Sequence, residues 1–230
     1  MGKRQESRER IEAQIIALGR RQLATEGAAG LSVRAIARDL GMVSSAVYRY
    51  VAGRDELLTM LLADAYSDLA DSVERAREQA PDGWRADVAV IARAMRGWAL
   101  AEPACWALLY GSPVPGYHAP AEITTAPGTR VVGALFDAVA TGVATGDIVL
   151  TEHHVNQPLS ADLARLRREF NFPGDDALVV RCTLAWGLVV GAISLEVFGQ
   201  YGADTFTDPA TLFDAQLRLL VDLIAGSAEN

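Results

Sequence analysis

Lysine is almost missing from this sequence: Lys3 is the only one in 230 residues, and every other basic side chain is an arginine. That removes Schiff-base chemistry and the lysine-bearing phosphate loop, both of which need a lysine inside the fold. Cysteine is equally scarce. Cys105 and Cys182 lie far apart in apolar stretches without metal-ligand spacing, which points to buried free thiols rather than a disulfide or redox pair. The three histidines, His118, His153 and His154, fall in loop-like segments, and the adjacent pair lacks the further ligands a complete metal site needs. No nucleophile elbow and no metal-spaced His/Glu pair occurs, so the sequence does not read as an enzyme. Long hydrophobic runs are absent too. The longest uncharged apolar stretch, 182–195, falls short of the roughly 18 residues of a membrane span. The first ten residues, MGKRQESRER, are charged where a secretion signal would be apolar. The expectation is a cytoplasmic protein with no cofactor, no metal and no membrane partner.

What is present is a globular composition, 50% hydrophobic and 22% charged, with enough chain for one large domain or a small one joined to a larger. The net charge of −8 argues against a nucleic-acid partner until it is divided along the chain. Residues 1–55 hold ten Lys/Arg against six Asp/Glu, a balance of +4, which leaves 11 against 23, or −12, for 56–230. Such asymmetry suggests a nucleic-acid-facing part (1–55) attached to a part with another task (56–230).

The stretch from Leu31 to Leu58, LSVRAIARDLGMVSSAVYRYVAGRDELL, supports that division. Val33, Ile36, Ala37 and Leu40 follow the spacing of a buried helical face. Ser32 suits the N-cap before them, Gly41 allows a sharp turn, and Ser44 is placed to cap the next helix. At about 100° per residue that next helix gathers Val43, Val47, Tyr50 and Val51 into one apolar arc and sets Ser45 and Arg49 opposite. A short helix with an apolar back and a small, polar, basic front is what a DNA major groove admits. A third helix is expected from about residue 53. Arg54 is a cation at its N-terminus, where an anion such as a DNA phosphate would be favourable.

These residues resemble the DNA-binding motif of the TetR family of bacterial transcription regulators. The resemblance rests on Ala35 to Gly41 (AIARDLG), Ser44, the Val47-Tyr48 pair, Tyr50 and the run Arg54-Asp55-Glu56-Leu57-Leu58. Ala52 stands where proline is frequent in the family, and Gly53 where serine is. Carried over position by position, the resemblance implies DNA contacts at Arg34, Ser44, Ser45, Ala46, Tyr48, Arg49, Tyr50 and Arg54. Arg49 is the candidate for reading a guanine through two hydrogen bonds. Tyr50 sits on the edge of the apolar arc, so packing is its alternative use.

The rest of the chain shows no strand-like alternation and reads as helices, giving an all-α fold. The expected helices are 7–26, 33–40, 44–51, 53–78, 84–101, 103–110, 130–145, 160–170, 176–201 and 209–225. Gly111 to Thr129, rich in Gly and Pro, reads as a loop. The resemblance further implies a homodimer built on the last two helices and a pocket for a small apolar or amphipathic effector. Trp98, Trp106, Tyr110, Phe136 and Trp186 are the large side chains available to line such a pocket, although each also reads as core. Gly187 and Gly191, at i and i+4, would let a partner helix approach closely, with Leu195, Leu217 and Leu220 as apolar neighbours. The stretch 185–196 is similar to one subgroup's C-terminal signature, in which a histidine is usual where Val190 stands. The function implied is a ligand-responsive repressor that binds a pseudo-palindromic operator. The alternatives are an architectural DNA-binding protein without a ligand, or a helical enzyme carrying a DNA-binding motif.

Overall fold

The computed structural model describes residues 2–151 and 155–226, which leaves His153 and His154 outside the described residues. Those residues form ten α-helices and no strand. The order is α1 (Lys3–Glu26), α2 (Val33–Asp39), α3 (Ser44–Val47), α4 (Arg54–Arg77), α5 (Trp84–Ala101), α6 (Pro103–Tyr110), α7 (Ala121–Ala144), α8 (Leu159–Glu169), α9 (Asp176–Val197) and α10 (Pro209–Ala225). They belong to two compact units, one made of residues 1–69 and 101–128, the other of 70–100 and 129–230.

The helix ends follow local chemistry. Gly27 closes α1 with φ of 67°, its N–H donating to the Leu23 carbonyl. The Asp175 carboxylate accepts from the Leu178 N–H at 2.7 Å to start α9. Asp208 accepts from the Ala210 and Thr211 N–H groups to start α10, and Pro103 and Pro209 occupy first-turn positions where a missing N–H costs nothing.

In the first unit, Ile15 of α1, Ile36 of α2, Val47 of α3 and Leu57, Leu58 and Leu61 of α4 share one apolar core. Leu108 of α6 and Val114 and Tyr117 of the segment after it pack against the same core. The Thr59 hydroxyl donates to the Asp55 carbonyl, so the Tyr117 hydroxyl, 2.8 Å away, must donate to Thr59. Arg20 of α1 reaches both Asp64 (2.6 Å) and Asp68 (3.0 Å) of α4. Burial alone would lower the pKa of Arg20, but the Asp68 hydrogen bond and the Asp64 charge outweigh it and hold the guanidinium above its usual range. The second unit is built around Trp84, Met95, Leu178, Ile193 and Ile224, all no more than 2% exposed. Arg77 clamps Asp87 through two bonds of 2.8 Å, and Arg96 clamps Glu196.

Cys105 and Cys182 are free and buried. Burial pushes the first thiol up to about 11 and the second up to about 12. The folded chain should therefore resist thiol alkylation at pH 8 and react at both positions once unfolded in guanidinium; rapid labelling of the folded chain would contradict this.

Some expectations need correction. Helix α7 begins at Ala121, well inside the stretch 111–129 read as a loop, and carries Pro127 within it. An internal proline costs a helix roughly 3 kcal/mol, so composition argued for a break. The helix runs through it nonetheless, and a Cβ added at Gly128 would stand 3.5 Å from the Tyr66 ring. Val43, not Ser44, is the N-cap of α3, with no side-chain cap bond. Preceding the helix, Val43 does not share its periodicity, and it is 71% exposed rather than part of the apolar back. Helix α9 ends at Val197 because Gly199 turns left-handed, with φ of 66°. Counted as a whole helix, α9 has 22 residues and is long and apolar enough to cross a membrane by length and composition. The uncharged run 182–195 understates it because Arg181 interrupts the pattern.

Candidate nucleic-acid interface

The surface proposed for DNA is a one-turn helix on a stiff support. Ser32 opens α2 by accepting from the Ala35 N–H at 3.3 Å, and its own N–H donates to the Gln22 side chain at 3.0 Å. Gly41 turns the chain with φ of 66°, and the Met42 N–H donates to the Ala37 carbonyl at 2.9 Å. After α3, the Tyr50 and Val51 N–H groups both return to the Val47 carbonyl, at 2.8 and 3.1 Å. Glu56 of α4 reaches back to accept from the Ala52 N–H. Three backbone hydrogen bonds and one carboxylate thus fix a segment too short to be stable alone.

Behind that segment, Val47 and Val51 have no exposed surface. In front, Ser45, Tyr48 and Arg49 are exposed, while Ser44 and Ala46 are half-buried. Arg34, at the start of α2, is exposed as well. Arg34 and Arg49 make no hydrogen bond or ion pair among the described residues, unlike Arg21, which is held by Asp39 at 2.6 Å. The other two candidates are already engaged. Arg54 donates to the Ala28 carbonyl at 3.0 Å and stands 3.9 Å from Asp55, so the oxygen partner anticipated at the start of α4 comes from the chain itself. Tyr50 is half-buried on the apolar core, with the Arg8 guanidinium 5.7 Å from its ring centre. Arg8 was not singled out by sequence reasoning; its spacing from the motif carries no signal of that approach.

The aromatic residues proposed for an effector pocket divide between the two units. Trp106 and Tyr110 lie in the first, ring centres 4.4 Å apart, and burial raises the pKa of the Tyr110 hydroxyl. Trp98, Phe136 and Trp186 lie in the second. Phe136 stacks on Phe170 at 5.0 Å and meets Phe172 edge-on at 4.8 Å, two neighbours the sequence pattern did not suggest. The space beside Trp186, Met95 and Leu220 is only about 10 Å³, at the lower limit for a single water molecule. Among the described residues no three His, Cys, Asp or Glu side chains gather as a metal site.

The end helices present an open apolar face. Val180, Leu184, Leu188 and Leu195 of α9 and its C-cap Phe198 are exposed, as is Leu219 of α10 at 71%. Gly187 is exposed and Gly191 half-buried on the same side. Leu217 and Leu220 are largely buried within the subunit but line the groove between α9 and α10, and Leu219 is the α10 leucine that stands exposed beside them. A groove of about 480 Å³, lined by Gly187, Leu188, Gly191, Leu195, Leu219 and Leu223 among others, runs between the two helices.

Residues 15–61 match the family described as bacterial regulatory proteins, tetR family, and residues 88–220 match the tetracyclin repressor-like C-terminal domain. The chain belongs to the TetR family. It is 66% identical over 226 residues to the HTH-type transcriptional regulator Rv1816 of Mycobacterium tuberculosis, covering 98% of this chain and 97% of that one. Among solved structures it is similar to the regulatory protein SCO4313, with a TM-score of 0.75, 37% identity, and 95% and 98% of the two chains covered. It also shares the fold of FadR from Bacillus subtilis, solved in complex with stearoyl-CoA, at a TM-score of 0.63 and 15% identity over 92% and 98% of the chains. The helix-turn-helix described above is therefore the DNA-binding part of a TetR-family transcriptional regulator.

Proposed function

We propose that this TetR-family chain is a homodimeric repressor whose subunits each place α3 in one half-site of a pseudo-palindromic operator, and which a small effector releases. In this reading residues 1–55 recognise DNA and 56–230 serve effector binding and dimerisation. The carrying observation is the pair of exposed, unpaired arginines, Arg34 and Arg49, beside Ser45 and Tyr48 on a segment anchored by fully buried Val47 and Val51. Unpaired guanidiniums on a rigid backing are ready to meet phosphates and a guanine edge without breaking internal bonds. Ser44, Ala46, Tyr50 and Arg54 flank them, Tyr48 and Arg54 as phosphate contacts.

Dimerisation is assigned to the open faces of α9 and α10, where small and apolar side chains alternate along one side. The effector is proposed to be a small apolar or amphipathic molecule held within the second unit, to which Trp98, Phe136 and Trp186 belong; FadR, which shares the fold, was solved with the amphipathic stearoyl-CoA. Its binding would favour a separation of the two α3 segments that no longer matches successive major grooves. Such a regulator works in the cytoplasm, with no membrane partner.

The test is a binding titration against the promoter duplex next to the gene that encodes this chain. Arg49→Ala should weaken binding by about 1–3 kcal/mol and relax preference at one base pair. Unchanged affinity together with unchanged base preference would remove Arg49 from the reading.

A further inference from the structure

The first helix carries a cation to the edge of the DNA-reading segment. Helix α1 starts at Lys3, whereas its first core-packed residues are Ile11 and Ile15, so its first two turns extend beyond the core. Arg8 lies on that extension with more than half of its side chain exposed. Its guanidinium stands 5.7 Å from the ring centre of Tyr50, within the range of a cation–π contact. Tyr50 directly follows Arg49 and closes the segment that begins at Ser44. A positive charge therefore sits beside the reading surface, supplied by a helix with no place in the helix-turn-helix itself.

The internal partner of Arg8 is weak. It pairs with Glu12 at 2.7 Å, one turn later. A solvent-screened pair at this spacing contributes little, and the basic residue preceding the acid is the poorer orientation against the helix dipole. The neighbouring acid Glu9 is engaged by Gln5 at 2.9 Å. A phosphate oxygen, with full charge and the surrounding counterions to release, competes readily for such a guanidinium.

We infer that Arg8 is a DNA-backbone contact, exchanging Glu12 for a phosphate next to the half-site when α3 enters the groove, with Tyr50 holding its guanidinium in position. The inference rests on the DNA-binding reading above and adds a residue from outside the motif. Being a phosphate contact, it strengthens binding to any sequence alike.

An operator is not needed to test this. Affinity of the full-length protein for a 30-base-pair duplex of arbitrary sequence is measured by fluorescence anisotropy across a salt series. Arg8→Gln should weaken binding several-fold at low salt and reduce the slope of log affinity against log salt by about one. Glu12→Gln, which frees Arg8, should strengthen binding, and that gain should vanish in the Arg8→Gln/Glu12→Gln double variant. A salt slope unchanged in Arg8→Gln, with the wild type binding normally, overturns the inference and leaves the DNA-binding reading intact. A Glu12→Gln gain that persists in the double variant also overturns it, since the effect would then be general charge. A wild type that binds no duplex at any salt overturns the reading itself.

Discussion

Gly191→Leu is expected to leave the subunit folded and abolish the dimer proposed for it. A Cβ built on Gly191 or on Gly187 meets nothing within 4 Å inside the chain, so a larger side chain there points into open space. Replacing a helical glycine should even favour α9 locally, by roughly 0.5–1 kcal/mol. The cost falls on whatever must approach that face. If the α9 and α10 faces of two subunits meet across it, a leucine at the closest approach pushes them apart and exposes Leu184, Leu188 and Leu219 again. Light scattering at micromolar concentration should report a monomer for Gly191→Leu and for Gly187→Leu, with helical circular dichroism retained. Operator affinity should fall by roughly 10²- to 10⁴-fold, the factor gained when a second half-site is bound intramolecularly. A dimer of unchanged mass in both variants would move the interface elsewhere on the molecule.

The second large effect concerns stability. Trp84 is 2% exposed, and its indole occupies the space that Gly142 of α7 leaves by having no side chain. A Cβ there would come within 2.8 Å of the indole Cγ and 2.7 Å of Ile148 Cδ1. Trp84→Ala should therefore cost about 3–5 kcal/mol of unfolding free energy through the cavity it opens. Gly142→Ala, which over-packs the same spot from the other side, should cost about 1–3 kcal/mol. Trp84→Phe is expected to be much milder than Trp84→Ala. The indole Nε1 is buried with no hydrogen-bond partner, so phenylalanine removes a polar group that gains nothing by being there. Urea titrations of the three variants check the order; a Trp84→Ala loss below about 1 kcal/mol would mean that the site collapses without strain.

Much of this architecture was legible in the residues, and where it was not there is a local reason. Helices α5, α6 and α10 begin and end where Gly and Pro punctuate the chain, and the expected bounds 84–101, 103–110 and 209–225 agree with the structure. The start of α7 was hidden because Pro127 and Gly128 signal a break, while the surroundings of the helix there include the ring of Tyr66, a residue far away in sequence. In the motif, periodicity identified Val47 and Val51 as the buried back and Ser45 and Arg49 as the outward side, but it misplaced Val43 because helical spacing does not extend to a cap. On α9, Gly187, Gly191 and Leu195 were legible as a small and apolar side, whereas the exposed Val180, Leu184 and Leu188 were not singled out; on α10, Leu217 and Leu220 line the groove while staying largely buried, and the exposed Leu219 was missed. No pattern within the sequence told which of two apolar sides a helix would bury. Arg8 and Tyr50 meet only through the packing of α1 on the motif, a tertiary fact with no local trace.

The contribution of residues 101–128 to the same compact unit as the helix-turn-helix matters to anyone building hybrid regulators. Leu108, Val114 and Tyr117 cover the core on which α1 to α4 close, and Tyr117 bonds to Thr59 across it. A chimera cut after residue 55, or after the motif at residue 61, would strip those side chains from the graft and expose apolar surface in their place. The exchangeable cassette is two pieces of chain, and a recipient must accept both.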